Sequence, residues 1–504
     1  MKRITNYMIS GAMLLALSCN DDTIDLNPIG ETEADFFQSE AQMQQAVFGV
    51  YQKLGFFYQW NAQAYVHRAD LLPSDDLTRT GSGPFENFEA LDGNNGIVGD
   101  IYQYSYELLA RANTLLTKIE ENGEFAYSIE PDLKEVHRGE ALFLRSYVNF
   151  RLWNTFGTAP LVTERITVLE DAFPPNTTGT ELLDQAVLDL REAINGLPEA
   201  WDEENVGRAT KNSARGLLQK ILVFRGTVNN DNADFTEAIN VFNSINSVSL
   251  MPNYIDNFDV QKENNAESLF ELQAEDNVGN LNGWLPIATD DPEFAAIGEI
   301  NAYYGYYIGT FVAGTTYLAT PSLLNAYETG DPRLNLAFDP ADENQNVRKY
   351  VSTDEEIPGA NPNQLSANNT RILRYADALL LNAEAIVRTG GSLSDAIALV
   401  NQVRERARNS AETPSAVPAD LTVPATADEA LELIFNERRL ELAAEEGHRW
   451  HDLRRRHIAG EIDLTNWDFS SPDPTFNFQP FNVYFPLPEN EVIQSPNLNQ
   501  NEGY

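Results

Sequence analysis

The strongest constraint on the fold of this chain is a succession of amphipathic helical patterns separated by Gly and Pro. In the stretch 101–120, Tyr104, Leu108, Leu115 and Ile119 recur at helical intervals. Such spacing is typical of helices that bury one face against a neighbour. Comparable patterns occupy 133–157, 180–198, 212–226, 235–245, 371–391 and 393–407, and another follows Thr426. The sequence therefore predicts a mainly α protein.

The ends and spacing of these helices predict how they are arranged. Thr426 and Glu429 have the spacing of a capping box that would start the last long helix. Long helices with short connections favour stacked pairs similar to tetratricopeptide repeats, although the roughly 34-residue period of that repeat is not regular here. We expect this helical frame mainly over 100–250 and 370–460.

Two other stretches, mainly 50–100 and 250–370, lack sustained periodicity and are rich in Gly, Pro, Asn, Asp and aromatic residues. Irregular segments of this length are either functional or disordered, and their aromatic content argues against disorder. We therefore predict that they form an ordered, loop-rich face, which we term the loop face. The loop face and the helical frame would together make a single domain over 19–504.

The first residues have the pattern of a secretory signal. Lys2 and Arg3 precede the apolar stretch 8–17, which is shorter than the roughly 20 apolar residues that span a bilayer. Cys19 is the only cysteine, so the chain has no internal disulfide. It follows Ser18 and resembles the lipidated cysteine of a bacterial lipobox, with Ala16 where that pattern prefers Leu. The resemblance implies a signal peptide over 1–18 and a lipid anchor on Cys19.

The charge of the chain restricts its partners. Lys and Arg number 34 against 76 Asp and Glu, which gives a net charge of −42. Nucleic-acid binding depends on Lys and Arg contacts to phosphates. We therefore predict no nucleic-acid partner, and a neutral ligand rather than an anionic polymer.

The stretch 445–457 is a candidate metal or catalytic cluster because it contains three of the five histidines. On a helix, His448, His451 and Asp452 would share a face, whereas His457 would point elsewhere. The arginines of the same span oppose the desolvation of a divalent cation, and the zincin spacing is missing. We predict that these residues are structural, that they hold no metal and that the protein uses no cofactor; a structural calcium elsewhere stays open.

Enzyme motifs are missing from the sequence. It has neither a G-x-S-x-G elbow nor a phosphate-cradling Gly loop followed by Lys. A glycoside hydrolase would need two paired carboxylates, but among 76 acidic residues a pair such as Asp75 and Asp76 is not informative. We predict that the protein is not an enzyme.

Several motifs resemble those of one protein family. The segment 436–456, NERRLELAAEEGHRWHDLRRR, resembles the signature of the SusD/RagB family of outer-membrane proteins of Bacteroidetes. Further motifs of that family are resembled, in the same order, by RGEALFLRSYVNFRLWNTFGTAPLV, NSARGLLQKILVFRG, ETGDPRL, RILRYADALLLNAEA and FPLPENEVIQSPNLNQNEGY. Ser495 stands where Asn is more usual. The resemblance spans the mature chain, implies a SusD-like fold and makes the histidine stretch a signature of that fold.

The resemblance also implies a function and a location. It implies a lipoprotein on the extracellular face of the outer membrane, and residues 20–22 after Cys19 resemble the surface-export signal of that group. Such a protein captures oligosaccharide or polysaccharide and delivers it to a SusC-like TonB-dependent transporter. The acidity favours a neutral glucan such as laminarin or starch. The alternative is a RagB-like scaffold whose cargo is peptide or another nutrient.

Aromatic and polar residues of the loop face form the predicted glycan site. Flat rings suit the apolar faces of sugars, and amide, carboxylate and guanidinium groups suit hydroxyls. Trp60 and Trp284 are the tryptophans of the loop face, whereas Trp153 lies on a helical stripe and is expected in the core. The predicted site comprises Trp60, Asn61, Asp75, Arg79, Trp284, Tyr303, Tyr304 and Tyr306.

Overall fold

The structure is a computed structural model. It describes residues 33, 35–58, 66–79, 83–274, 306–307, 310–311, 317–339, 346–350, 368–413, 415–471, 473 and 475–504.

Helices dominate the described residues, as the sequence predicts. The first eight are α1 (Glu40–Gly55), α2 (Val66–Leu71), α3 (Pro84–Asn87), α4 (Gly96–Ala126), α5 (Asp132–Thr155), α6 (Glu181–Gly196), α7 (Lys211–Asn229) and α8 (Asn232–Ser244). The next seven are α9 (Pro321–Ala326), α10 (Pro332–Ala337), α11 (Tyr375–Arg388), α12 (Leu393–Asn409), α13 (Ala427–Glu441), α14 (His448–Ile458) and α15 (Glu489–Gln494). Short 3-10 turns cover Phe56–Tyr58, Leu169–Ala172, Tyr254–Phe258, Val260–Lys262, Leu464–Asn466 and Pro480–Val483.

The core lies where successive long helices pack together. Helix α5 contacts α4 and α6, α6 contacts α7, and α7 contacts α8. Leu144, Val148 and Leu152, which belong to the predicted stripe of α5, are fully buried, and so is Trp153. A second, smaller core joins α11 to α12 and α13. Paired helices stacked in this way form the predicted frame, and the placement of Trp153 in the core is confirmed.

Six short strands accompany the helices in the described part of the chain. They are β1 (Leu77–Arg79), β2 (Ser268–Leu272), β3 (Tyr306–Tyr307), β4 (Thr310–Phe311), β5 (Tyr317–Ala319) and β6 (Thr370–Arg374). They pair antiparallel as β1 with β5, β2 with β6, and β3 with β4. Each pair joins segments of the predicted loop face to one another or to the frame.

The pattern over 371–391 is only partly helical. Its first residues form β6, which pairs with β2 through Ser268 opposite Arg374 and Leu272 opposite Thr370. All five residues of β6 are buried. A short, fully buried run has no alternation of apolar and polar residues that would distinguish a strand from a buried helix. The predicted helix therefore wrongly included the residues of β6.

The last helical pattern is also broken. Helix α13 begins as predicted, because the Thr426 side chain accepts from the Glu429 amide and the Glu429 side chain accepts from the Thr426 amide. It ends at Glu441. The turn 442–447, which we term the signature turn, then reverses the chain before α14. Its residues Ala444, Glu446 and Gly447 have φ of 61°, 43° and 69°, a backbone region that ordinary L residues rarely adopt. In the described residues, no helix is long and apolar enough to cross a membrane.

Candidate functional site

The structure reaches only part of the predicted glycan site. Trp60, Asn61, Trp284, Tyr303, Tyr304 and the predicted lipidation site Cys19 lie outside the described residues. The backbone of Tyr306 lies in β3, opposite Phe311 of β4. Asp75 and Arg79 are described in full, and they show how the base of the loop face is held.

The two separate regions of the loop face meet at one strand pair. Strand β1 lies in the first region, 50–100, and β5 lies in the second, 250–370. They pair with Leu77 opposite Ala319 and Arg79 opposite Tyr317. Just beyond β5, the Thr320 amide donates to the Asp76 carbonyl at 2.9 Å, and its hydroxyl donates to the Asp75 carbonyl at 2.5 Å. The fold therefore brings together two segments that are more than 200 residues apart in the sequence.

Asp75 lies beneath this strand pair and does not face solvent. It is 2% exposed. Its carboxylate accepts two hydrogen bonds from Arg449, at 2.7 and 2.9 Å, and one from the indole N–H of Trp467 at 3.2 Å. Burial alone would raise the pKa of Asp75, but Arg449 and Arg439 hold it below its ordinary value. The expectation that Asp75 binds sugar hydroxyls is therefore corrected, because its oxygens are already used inside the protein.

Arg79 remains a candidate ligand contact. It is the last residue of β1, is partly exposed, and directly precedes residues 80–82, which lie outside the described part of the chain. The pairing of β1 with β5 places its backbone opposite Tyr317, at the junction of the two loop-face regions. Its contact with a ligand stays a prediction.

Helix α13 and the signature turn hold the segment between α2 and β1. Arg439 of α13 donates to the Asp76 carboxylate at 2.6 Å and to the Asp75 carbonyl at 3.1 Å. Gly447 of the signature turn lies against the end of α2, where an added Cβ would meet the Asp70 carbonyl oxygen at 2.7 Å. This close approach requires a residue without a side chain.

The same turn fixes the residues on either side of 59–65, the segment that contains Trp60 and Asn61. On one side, the Tyr58 hydroxyl donates to Glu446 Oε2 at 2.8 Å and lies 2.7 Å from the Tyr147 hydroxyl. On the other side, Asp70 accepts from Arg151 at 3.0 Å. Both flanks of a predicted ligand-binding segment therefore end on buried groups in and around the signature turn.

The histidine stretch belongs to this support. His448 begins α14, and its Nδ1 lies 3.0 Å from Lys220 Nζ. His451 Nε2 lies 3.7 Å from Asp70. Both rings are buried, and burial lowers the pKa of each below its ordinary value. No group of three His, Cys, Asp or Glu side chains in the described ranges is arranged to hold a metal ion.

Buried arginines of the signature form an ion-pair network, which agrees with the prediction that this stretch is structural. Arg438 donates to Asp452 and Asp377, at 2.7 Å each. Arg455 makes two bonds of 2.6 Å to Glu384. The available signal was the density of Arg in the signature of a chain that is otherwise strongly acidic. Paired carboxylates allow these cations to be buried at little net cost.

Comparison with known proteins identifies the family. The sequence model of the SusD family matches residues 225–504. A second model, described as starch-binding and associating with the outer membrane, matches residues 31–223. Because the first match covers more than half of the chain, this protein belongs to the SusD family.

Individual relatives agree over nearly the whole length. The chain is 23% identical to a SusD-like protein of Bacteroides ovatus, over 98% of this chain and 96% of that protein. A solved laminarin-binding SusD-like protein is 24% identical, with a TM-score of 0.73 over 93% of this chain and 100% of that one. Surface glycan-binding protein A from Bacteroides thetaiotaomicron, solved with laminarihexaose, is 22% identical, with a TM-score of 0.72 over 92% and 99%. These likenesses confirm the predicted SusD-like fold.

Proposed function

We propose that this protein is a cell-surface lipoprotein that binds a neutral glucan such as laminarin or starch and delivers it to a SusC-like TonB-dependent transporter. Trp60, Trp284, Tyr303, Tyr304 and Tyr306 would supply the stacking rings, and Asn61 and Arg79 would bond hydroxyls. The lipid on Cys19 would hold the protein at the outer membrane.

The observation that carries this proposal is the junction of the two aromatic-rich regions at β1 and β5. The strand pair joins the two regions through Leu77 opposite Ala319 and Arg79 opposite Tyr317. Ligand sites commonly combine apolar or aromatic walls with a few polar groups at such junctions. Two solved relatives of the same fold, one laminarin-binding and one in complex with laminarihexaose, support a glucan as the ligand.

A binding panel tests the ligand class. Purified protein without residues 1–19 should bind laminarin or starch in calorimetry and should not bind a polyuronate, because the chain carries a net charge of −42. It should also release no reducing sugar from the bound glucan over hours, since the proposal includes no catalytic step. Binding of peptide alone would favour the RagB-like alternative, and binding of the polyuronate alone would contradict a neutral glycan.

A further inference from the structure

A deep cleft lies on the frame and involves none of the predicted glycan-site residues. Its volume is about 630 Å³. The first half of α4 forms one wall, the segment 160–174 forms another, and α15 with its flanking residues closes the third. The rings of Tyr102 and Tyr106 pack with centroids 4.4 Å apart at the base. The volume falls within the roughly 300–1,000 Å³ of binding pockets.

Bulky apolar side chains are exposed around this cleft. Ile166, Val168, Leu169 and Ile493 are 44%, 50%, 72% and 71% exposed, and they are four of nine large hydrophobic residues exposed among those that the structure describes. Ile166 lines the cleft, Val168 and Leu169 follow on the same segment, and Ile493 lies on α15. Exposed apolar groups gathered at one place mark an interaction site, whereas single ones are ordinary.

The charged groups of the cleft are all acidic. Asp100, Glu107 and Glu491 line it, and no Lys, Arg or His does. Glu107 is paired with Lys53, whereas Asp100 and Glu491 have no ion-pair partner in the described part of the chain. Burial raises the pKa of Asp100 to about 6, and a cation placed beside it would stabilise its charged form. A partner surface that complements this cleft would be apolar and would carry at least one basic group.

The rim of the cleft also lies near Glu33, the first residue that the structure describes. Glu33 makes two bonds of 2.6 Å to Arg165 and an ion pair of 3.1 Å to Lys118. Arg165 directly precedes Ile166 on the rim. The predicted lipid site, Cys19, is 14 residues before Glu33, a span of about 50 Å at full extension. A lipid anchor on Cys19 would therefore hold Glu33 within about 50 Å of the membrane that holds the proposed transporter.

We propose that the cleft and its apolar rim dock a segment of the transporter that carries bulky apolar side chains and a Lys or Arg. This inference rests on the proposed function, in which the chain works with such a transporter. The apolar rim would form the dry centre of the interface, where a few side chains contribute most of the affinity. The basic residue would enter the cleft beside Asp100.

Co-purification of the full-length lipoprotein with a SusC-like transporter from the same organism tests this surface. The double variant Leu169→Glu and Ile493→Glu should recover about tenfold less transporter than the wild type, because it places charge on the apolar rim. Asp100→Lys should also lower recovery, because it repels the basic group. The matched controls are Ile129→Glu and Leu188→Glu, which change side chains that are 87% and 57% exposed outside the cleft. Both controls should recover transporter like the wild type.

Two results would overturn the inference. Wild-type recovery by the rim variant, or an equal loss in the two controls, would show that another surface docks the partner while the pairing itself stands. Failure of the wild type to recover any transporter would instead refute the pairing, and the inference with it. Glucan affinity measured on every variant separates these outcomes from misfolding, since all variants should retain it.

Discussion

Gly447 shows how one residue supports the signature turn. Its φ is +69°, and an added Cβ would lie 2.7 Å from the Asp70 carbonyl oxygen. Gly460, at the end of α14, has a similar φ of +75° but has no other atom within 4 Å of such a Cβ. The two positions therefore share the backbone cost of a left-handed residue and differ in the clash.

Gly460→Ala should lower the free energy of unfolding by about 1 kcal/mol, the cost of the conformation alone. Gly447→Ala should lower it by about 2 kcal/mol more, because the backbone of α2 must shift. Urea unfolding followed by circular dichroism measures both changes. Equal costs at the two sites would mean that the contact with Asp70 is not tight.

Glu446 should make stability depend on pH. Burial raises its pKa from 4.5 to about 7, Asp70 adds to the rise, and Arg151 and Tyr58 oppose it. The folded protein therefore binds this proton more tightly than the unfolded chain does. Its contribution to the free energy of unfolding is largest below pH 4.5 and is lost as the pH rises toward 7.

Glu446→Gln removes this titration and keeps the shape of the protonated carboxyl. Relative to the wild type, the variant should gain about 1.4 kcal/mol of stability for each pH unit between about 5 and 6.5. Denaturant unfolding at several pH values measures the difference. Glu502→Gln, at an exposed residue near the C-terminus, is the control and should show no such trend. A flat difference for Glu446→Gln would contradict the raised pKa.

The long helices were predictable because their apolar residues repeat at helical spacing. The stripe of α5 and the capping box of α13 are read directly from local sequence. Strand β6 was not, because its pairing with β2 joins residues about 100 positions apart and leaves no local alternation. The signature turn was missed because Ala444 and Glu446 have positive φ values, a conformation that residues of these types rarely adopt and that their sequence does not signal.

The residue types of the candidate site were predictable, but the contacts between its residues and the helical frame were not. The sequence indicated which segments carry rings and amides, but not that Asp75 would turn inward to Arg449. A carboxylate in a loop is ordinarily exposed, and only the arrival of α14 beneath the loop face buries this one. Ion pairs across several hundred residues leave no pattern in a single sequence.

The pair of Asp75 and Arg449 provides a prediction about how α14 holds the loop face. Arg449→Met leaves a buried carboxylate without its main partner and should lower the free energy of unfolding by about 3–5 kcal/mol. It should also weaken glucan binding, because the segment before β1 loses its support. Chemical unfolding and calorimetry measure the two effects.

The control for this prediction is Arg191→Met. Arg191 pairs with Glu237, with side chains that are 46% and 32% exposed, and an exposed pair contributes at most about 1 kcal/mol. Its loss should leave glucan affinity unchanged. If Arg449→Met were as mild as Arg191→Met, the buried pair would not hold the loop face.

The predicted lipid anchor on Cys19 can be tested in cells. Cys19→Ala removes the thiol that would be acylated, and buried acyl chains contribute about 0.8 kcal/mol per CH₂ to membrane binding. The variant should leave the outer-membrane fraction and the cell surface, as shown by fractionation and protease accessibility on whole cells. A variant that stays on the surface would refute the lipoprotein assignment.

At the scale of the whole molecule, we assign support to the helical frame and ligand binding to the loop face. Buried ion pairs of α13, α14 and the signature turn hold the base of the loop face, and the strand pair β1–β5 joins its two regions. Variants of the loop-face rings should therefore change ligand affinity without changing stability, whereas variants of the buried signature pairs should lower stability first and affinity as a consequence.

Calorimetry with laminarihexaose on Trp60→Ala and Trp284→Ala tests whether the loop face binds the glycan. Removal of an aromatic platform should weaken binding by roughly 1–3 kcal/mol, by analogy with bases stacked on aromatic side chains, with helical content unchanged. Trp201→Ala is the control, since that ring packs on Arg208 within the frame, 4.0 Å from its guanidinium. We predict that affinity falls about tenfold or more relative to the wild type in either loop variant and is unchanged in the control. Wild-type affinity in both loop variants would contradict the account.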